Sequence, residues 1–231
     1  MNYNSSSGLS VKKFSSGAAT SAGIILHGYG ANNDDLFSLG ENFNHLLKKN
    51  IDWYFPEGPL DLSMSPYFRS RAWFPIDLEA MQRSIATGEP RFLADRLPPG
   101  LFDARDLVMK LVNEIFPLYD KVLIGGFSQG AMLSTECLLN FSEKFCAGLL
   151  LSGNLLCQER WQDLAKNAHR LKIFQSHGMS DAILSFSGAT DLEKLLLKAG
   201  HQVSFMKFSG AHEIPFEVLK SAGMFLHEIL S

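Results

Sequence analysis

Short apolar runs alternate with segments of helical periodicity along most of the chain. Runs with the length of strands occupy 22–27, 51–56, 147–151, 171–176 and 203–208, and another begins at Lys121. Apolar residues at helical spacing predict helices after 33–35, over 78–86, 101–116, 161–168, 188–199 and 215–230, and after Ser128. This alternation predicts an α/β fold with a mainly parallel sheet and helices on both faces. In such sheets, ligands bind at the loops that follow the carboxyl ends of the strands.

Two stretches depart from the alternation. Residues 1–21 are rich in Ser and Gly and predict a loose arm with one edge strand near 9–14. The segment 57–100 contains six prolines and several aromatic residues. A connection of this length without regular structure is uncommon in a compact domain unless it is functional. We therefore expect one domain over 1–231, in which 57–100 is an irregular lid or substrate-facing insertion.

A tight turn between an apolar strand and a helix start is predicted around Ser128. The residues at 126–130 have the G-x-S-x-G spacing of a nucleophile elbow, with Ser128 at its centre. A serine at such a turn adopts an unfavourable backbone conformation, and the flanking glycines let the chain pass close to itself. The same pattern also fits a glycine-rich loop with an incidental serine, so the other loops have to decide between the two interpretations.

A base and an acid for Ser128 are available in later post-strand loops. A serine hydroxyl needs a base within hydrogen-bond reach and a third group that orients the base. His212 follows the last predicted strand and Asp181 follows the strand before it, which gives the order serine, acid, histidine. His177 is a rival base in a post-strand loop, although it precedes the acid. Taken singly, Asp181 fits a turn cap and His212 a surface imidazole, but three candidates in three consecutive loops favour a catalytic triad.

The remaining candidates for the base and the acid are placed less well. His27 ends a strand but precedes the serine in the chain. The other histidines lie on or beside helices or at strand starts, namely His45, His169, His201 and His227. Asp163 and Asp191 fall on predicted helices.

Composition and charge argue against several classes of protein. The chain of 231 residues carries a formal net charge of −3 and no basic patch, which argues against a nucleic-acid partner. Its three cysteines are an odd number without C-x-x-C spacing, which favours free thiols in a reducing compartment. The polar N-terminus does not resemble a signal peptide, and no apolar run is long enough to span a bilayer. We therefore expect a cytoplasmic protein without stable membrane insertion, metal or organic cofactor.

Three stretches together resemble the phospholipase/carboxylesterase family of small α/β-hydrolases, which includes acyl-protein thioesterases and bacterial carboxylesterases. The first stretch is 26–30, taken together with Trp73 and Phe74, the second is 125–130, and the third is 210–215. The resemblance extends from about residue 23 to 230 and implies an α/β-hydrolase fold.

The same resemblance implies roles for five residues in the predicted post-strand loops. It implies a serine esterase whose triad is Ser128, Asp181 and His212. It also implies an oxyanion hole made by the backbone amides of Tyr29 and Gln129. The positions of these two amides agree with independent reasoning, since one opens the helix after Ser128 and the other lies in a glycine-rich loop after the first buried strand.

The sequence departs most from the family's pattern in the region expected to face the substrate. The resemblance implies that Trp73 and Phe74 line a pocket for a small-molecule or lipid ester, and that a homodimer is possible. After these two aromatics the family often continues with Asp, whereas here 75–77 intervenes and a longer insertion runs to Pro99. In the acid loop the family usually has Asp-Pro, whereas Ala182 follows the aspartate here, which predicts a less rigid loop.

Three functions fit these observations. The first is a serine carboxylesterase that hydrolyses short- to medium-chain esters or thioesters through an acyl-enzyme. The second is a lysophospholipase or acyl-protein thioesterase for long acyl chains, suggested by the aromatic segment from Tyr67 to Phe92, which fits core packing equally well. The third is a non-catalytic hydrolase-like module that binds an apolar ligand or partner.

Overall fold

The computed structural model of the chain describes residues 1–64, 67, 69–87 and 93–231. The strands are β1 (Asn2–Tyr3), β2 (Val11–Phe14), β3 (Ser21–Leu26), β4 (Asp52–Pro56), β5 (Leu60–Asp61), β6 (Arg71–Ala72), β7 (Lys121–Phe127), β8 (Ala147–Leu151), β9 (Lys172–Gly178) and β10 (Gln202–Phe208). The helices are α1 (Ser38–Leu47), α2 (Leu78–Thr87), α3 (Leu101–Ile115), α4 (Gln129–Asn140), α5 (Gln158–Asn167), α6 (Phe186–Lys198) and α7 (Phe216–Leu230). The predictions that involve Phe68 and Phe92 lie outside the described residues.

Eight of these strands form one sheet in the order β1-β2-β4-β3-β7-β8-β9-β10. The pairings from β4 through β3, β7, β8 and β9 to β10 are all parallel, whereas β1–β2 and β2–β4 are antiparallel. This topology confirms the predicted α/β fold with a mainly parallel sheet. Because the parallel strands point the same way, the loops that follow β3, β7, β8, β9 and β10 meet at one edge of the sheet.

The apolar core lies on both faces of the sheet. Ile24 and Ile25 are consecutive residues of β3, and each is buried in a different hydrophobic cluster. This separation follows from the alternation of side chains along a strand. The cluster around Ile24 includes buried residues of α3, α4, α5 and α6, whereas the cluster around Ile25 includes those of α1 and α7. Among the described helices, none is both long and apolar enough to cross a membrane.

The N-terminal residues are ordered, which corrects the expectation of a loose arm. The predicted edge strand is present as β2, and β1 pairs with it to extend the sheet. Between these two strands, the hydroxyls of Ser5 and Ser6 donate hydrogen bonds to the carboxylate of Glu114 on α3. A two-residue strand is too short to produce a hydrophobic period, so β1 could not be predicted from the pattern of apolar residues.

The described part of 57–100 contains more regular structure than expected. β5 and β6 pair as a short antiparallel hairpin, and α2 follows it. The hairpin is tied to the loop after β3, since Gly30 donates its N–H to the Arg71 carbonyl and Arg71 donates its own to the Ala31 carbonyl. A movable lid stays a prediction for this segment.

Candidate active site

Ser128 lies at the sharp turn between β7 and α4 with a strained backbone. Its φ of 57° and ψ of −117° lie outside the regions that a side chain normally allows. The turn is fixed on both sides, because Ser128 donates its N–H to the Leu151 carbonyl at 2.9 Å and accepts from the Met132 N–H at 3.1 Å. A Cβ at Gly130 would collide with the Leu26 carbonyl oxygen, so a residue without a side chain is needed there. This geometry explains the spacing of the predicted elbow.

His212 and Asp181 form a close pair beside this turn. The Nδ1 atom of His212 lies 2.6 Å from Oδ2 of Asp181, whose side chain is fully buried. An ionised carboxylate only accepts hydrogen bonds, so Nδ1 carries a proton and, in the neutral ring, Nε2 keeps its lone pair. The imidazole also packs on Phe127, the residue before Ser128, with ring centroids 4.7 Å apart. The structure therefore brings the predicted acid and base together next to the elbow.

Asp181 is held as an ionised acceptor by its own loop. Its Oδ1 atom accepts the backbone N–H groups of Ile183 at 2.8 Å and Leu184 at 2.9 Å. Burial raises the pKa of the carboxyl, but the hydrogen bonds from His212 and these two amides outweigh it and hold the pKa below its ordinary value. The aspartate thus caps its turn and orients the histidine at the same time.

The alternative candidates for the base and the acid, His177, Asp163 and Asp191, make other contacts in the structure. His177 is fully buried, and its Nε2 atom lies 2.9 Å from the Leu184 carbonyl oxygen and 3.3 Å from Oδ2 of Asp181. It therefore lies against the acid, with no exposed nitrogen to offer a substrate. Asp163 and Asp191 lie on α5 and α6, where each forms an ion pair with a lysine of its own helix.

Two backbone N–H groups in the segments next to Ser128 have no hydrogen-bond acceptor in the described part of the chain. The loop after β3 lies against it, since a Cβ at Gly28 would be 3.5 Å from Cβ of Ser128. Tyr29 follows in that loop, and Gln129 opens α4, where a helix has no earlier carbonyl to accept its N–H. Within the described part of the chain, neither N–H donates to a protein acceptor. Both are therefore free to donate to an acceptor from outside the protein, and their role as an oxyanion hole stays a prediction.

His27 stabilises the loop after β3 through hydrogen bonds of both ring nitrogens. Its Nε2 atom accepts the Gly58 N–H at 2.9 Å, so the proton of the neutral ring is on Nδ1, which donates to the Gly28 carbonyl at 2.7 Å. Burial lowers the pKa of the imidazole and keeps it neutral. The histidine thereby links the loop of Tyr29 to the start of the 57–100 segment.

Gln129 joins the elbow to the aromatic pair predicted from the sequence. Its Oε1 atom accepts the Trp73 N–H at 3.0 Å, and its Nε2 atom donates to the Phe74 carbonyl at 2.7 Å. The indole of Trp73 is buried and donates its ring N–H to the His27 carbonyl at 2.9 Å. Trp73 therefore supports the loop of Tyr29 from within the core. Sequence reasoning missed these side-chain bonds, which have no local signal.

A mainly apolar cavity of about 380 Å³ reaches α4 one helical turn beyond the elbow, and neither Ser128 nor His212 is among the described residues that line it. Met132, one helical turn after Ser128, forms part of its wall from α4. The 57–100 segment supplies most of the remaining lining, including Phe74, Ile76 and Leu97. Phe74 lines this cavity and Trp73 does not, and the role of either residue in substrate binding stays a prediction. No group of three or more His, Cys, Asp or Glu side chains that could hold a metal ion occurs in the described ranges.

The sequence model of the family described as phospholipase/carboxylesterase matches residues 13–230. The chain belongs to the phospholipase/carboxylesterase family. It is therefore a hydrolase of the esterase and thioesterase type, which confirms the resemblance drawn from the motifs. The acyl-protein thioesterase 1 of Debaryomyces hansenii is 29% identical over 226 residues, covering 92% of each chain. That of Candida albicans is 25% identical, covering 92% of this chain and 94% of the relative.

Solved structures share the same architecture. The crystal structure of esterase PE8 has a TM-score of 0.79 at 25% identity, covering 96% of this chain and 99% of that one. The crystal structure of Zea mays acyl-protein thioesterase 2 has a TM-score of 0.72 at 20% identity, with the same coverage of 96% and 99%. At that identity, the likeness to the maize protein shows the fold alone. The α/β-hydrolase fold expected for a member of this family is confirmed.

A substitution of Gln129 tests whether its side-chain hydrogen bonds stabilise the elbow. Replacing it by alanine keeps the backbone N–H at that position but leaves the buried N–H of Trp73 and the carbonyl of Phe74 without partners. We expect the free energy of unfolding to fall by about 1–3 kcal/mol, measured by urea denaturation, because unsatisfied buried polar groups are costly. Gln158→Ala, on the exposed start of α5, is the matched control. Equal stability of the two variants would contradict the bracing role.

Proposed function

We propose that this chain is a serine esterase that hydrolyses short- to medium-chain carboxylic esters or thioesters through an acyl-enzyme. The observation that carries the proposal is the 2.6 Å hydrogen bond between His212 and Asp181 in the loops beside the strained Ser128. A nucleophile, a base and an orienting acid are the parts that acyl transfer needs. The family membership supports the same reaction class.

In the first half-reaction, Ser128 attacks the carbonyl carbon of the ester. Nε2 of His212 takes the hydroxyl proton as the bond between Oγ and carbon forms, and the carbonyl electrons move to the oxygen. Asp181 keeps the other ring nitrogen protonated and stabilises the imidazolium that results. The tetrahedral intermediate then collapses, and the departing alcohol or thiol leaves with the proton from Nε2.

The oxyanion of that intermediate is stabilised by the backbone N–H groups of Tyr29 and Gln129. Both groups are held in place before the reaction, so no reorganisation is needed when the charge develops. Each such donor contributes on the order of 3 kcal/mol to lowering the barrier. In the second half-reaction, His212 takes a proton from water, the water oxygen attacks the acyl carbon, and the proton returns to Oγ of Ser128 as the carboxylic acid leaves.

The cavity beside Met132 and Phe74 is proposed to hold the acyl chain. Its volume of about 380 Å³ lies near the lower end of the range for ligand sites, which favours short to medium chains. Long-chain substrates are the second candidate, because relatives of this chain carry the name acyl-protein thioesterase 1 and because 57–100 builds most of the cavity. The unpartnered N–H groups at the elbow and the ionised Asp181 favour either enzyme over a non-catalytic binding module.

We also propose a single domain that works in a reducing compartment such as the cytoplasm. One sheet with a hydrophobic cluster on each face supports the single domain. Cys137, Cys146 and Cys157 are all free thiols, as is usual in reducing compartments. Burial raises the pKa of Cys146 and Cys157 to about 11, so both stay protonated at neutral pH. The homodimer implied by the resemblance stays a prediction.

A chain-length series tests the proposed substrate class. With p-nitrophenyl esters from acetate to palmitate, kcat/KM is expected to rise about fourfold per methylene while the chain fills the cavity, because each buried CH₂ contributes about 0.8 kcal/mol. It is expected to fall for chains longer than the cavity accommodates. Met132→Phe narrows the cavity and should move the optimum to a shorter ester, whereas Met224→Phe on the exposed face of α7 should not.

The two substrate candidates give opposite results in this series. An optimum at palmitate that Met132→Phe leaves unchanged would contradict the short- to medium-chain assignment. It would favour an acyl site outside the cavity and a long-chain substrate.

A further inference from the structure

We propose that His177 is a positioning residue that holds Asp181 in the orientation needed by His212. This inference rests on the proposed function and extends it to a histidine with no contact to the reacting atoms. The sequence singles out His177 as a rival base, but its side chain is fully buried at the end of β9.

The contacts of His177 define its protonation state. Its Nε2 atom lies 2.9 Å from the Leu184 carbonyl oxygen, which can only accept a hydrogen bond. The proton is therefore on Nε2, which also lies 3.3 Å from Oδ2 of Asp181. Burial lowers the pKa of the ring, so it remains neutral and acts as an N–H dipole rather than as a cation.

These contacts connect His177 to the acid in two ways, through Leu184 and by direct contact with Oδ2. Leu184 accepts from His177 through its carbonyl and donates to Oδ1 of Asp181 through its N–H. The aspartate is thus fixed at Oδ1 by its own turn, and its Oδ2 lies between Nε2 of His177 and Nδ1 of His212. A carboxylate that is hydrogen-bonded at Oδ1 and packed against an imidazole at Oδ2 is restrained from rotating away from the base, which is what the orienting group of a triad requires.

The sequence of the acid loop gives a reason for this arrangement. Ala182 follows the aspartate where a proline would stiffen the loop, so the backbone here lacks that restraint. The loop between Asp181 and Leu184 is instead restrained by side-chain and backbone hydrogen bonds that converge on the aspartate. His177 lies on the sheet rather than in the loop, and its hydrogen bond to the Leu184 carbonyl anchors the far end of the loop.

A double-mutant cycle tests the inference. His177→Asn shortens the side chain and removes the Nε2–H, and it is expected to lower kcat about tenfold to a hundredfold with KM nearly unchanged, as for other groups that orient a reactive side chain. His177→Gln keeps an N–H near the same place and is expected to restore most of the activity. In an Asp181→Asn background, His177→Asn is expected to cause little further loss, because it acts through the aspartate. His45→Asn, at an exposed position of α1, is the matched control.

Several results would overturn the inference. The first is an unchanged kcat in His177→Asn, and the second is a loss of kcat in His177→Gln as large as that in His177→Asn. The third is a loss of kcat from His177→Asn that is equal with Asp181 and with Asn at position 181, which would indicate a purely structural role. If His177→Asn does not fold, nitrogen-15 NMR of the unmodified protein tests the inference instead. The spectrum should show the Nε2–H tautomer of His177. The Nδ1–H tautomer would refute the arrangement. Failure of a fluorophosphonate to label Ser128 would instead refute the proposed function. The NMR measurement of the His177 tautomer does not depend on that labelling, so the two failures can be told apart.

Discussion

Replacing Ser128 by alanine is expected to lower kcat for p-nitrophenyl esters by about a millionfold, down to the rate left by binding and the oxyanion donors. The alanine side chain has no atom that can form the acyl bond, so the covalent route is removed entirely. The backbone strain at φ 57° is common to both residues, so the melting temperature should stay close to that of the unmodified protein. Stopped-flow and steady-state hydrolysis of the acetate and octanoate esters measure the effect.

Ser134→Ala is the matched control for this experiment. Ser134 lies on the same helix, is buried, and donates its hydroxyl to the Gly130 carbonyl four residues earlier. Removing that bond leaves the helix intact, since alanine favours helices more than serine does. Equal activity of the Ser128 variant and the unmodified protein would show that another residue is the nucleophile.

Replacing Asp181 by asparagine is expected to lower kcat by about ten thousandfold. The two loop amides of Ile183 and Leu184 need an oxygen at the Oδ1 position, so the asparagine oxygen is held there. Its NH₂ group then faces Nδ1 of His212 and can only donate to it. The imidazole must carry its proton on Nε2, where it can no longer accept the proton of Ser128.

Asp163→Asn and Asp191→Asn are the controls for this change. Both aspartates form ion pairs with lysines at least half exposed on the helix surface, and such pairs contribute little. These two variants should keep the activity of the unmodified protein, as measured by kcat/KM for the same esters. An Asp181 variant that loses less than about tenfold would contradict its role as the orienting acid.

Local patterns were enough to predict the sheet and the elbow. The apolar runs of β7 and β8 and the glycines around Ser128 act within a few residues, so their structural consequences can be seen in the sequence. The pairing of His212 with Asp181 was also accessible, because β9 and β10 are parallel neighbours whose following loops meet at one edge. The order of residues and the sheet direction together make this contact predictable.

Contacts between distant segments could not be predicted in this way. Gln129 binds the backbone at Trp73 and Phe74 across more than fifty intervening residues, and neither period nor spacing encodes such a bond. A buried aromatic and a pocket aromatic look alike in a sequence, which is why Trp73 was expected in the pocket but supports the core. His177 looked like a base because its loop was right, and only the burial and direction of its ring separate it from His212.

Covalent labelling with a fluorophosphonate tests the central claim most directly, since only an activated nucleophile reacts readily with such a probe. Intact mass spectrometry of the folded protein should show one adduct per chain, and peptide mapping should place it on Ser128. Labelling should be lost in Ser128→Ala and strongly slowed in His212→Ala, whereas Ser134→Ala should react like the unmodified protein. An unlabelled folded protein, or an adduct that persists in Ser128→Ala, would contradict the assignment of Ser128 as the nucleophile.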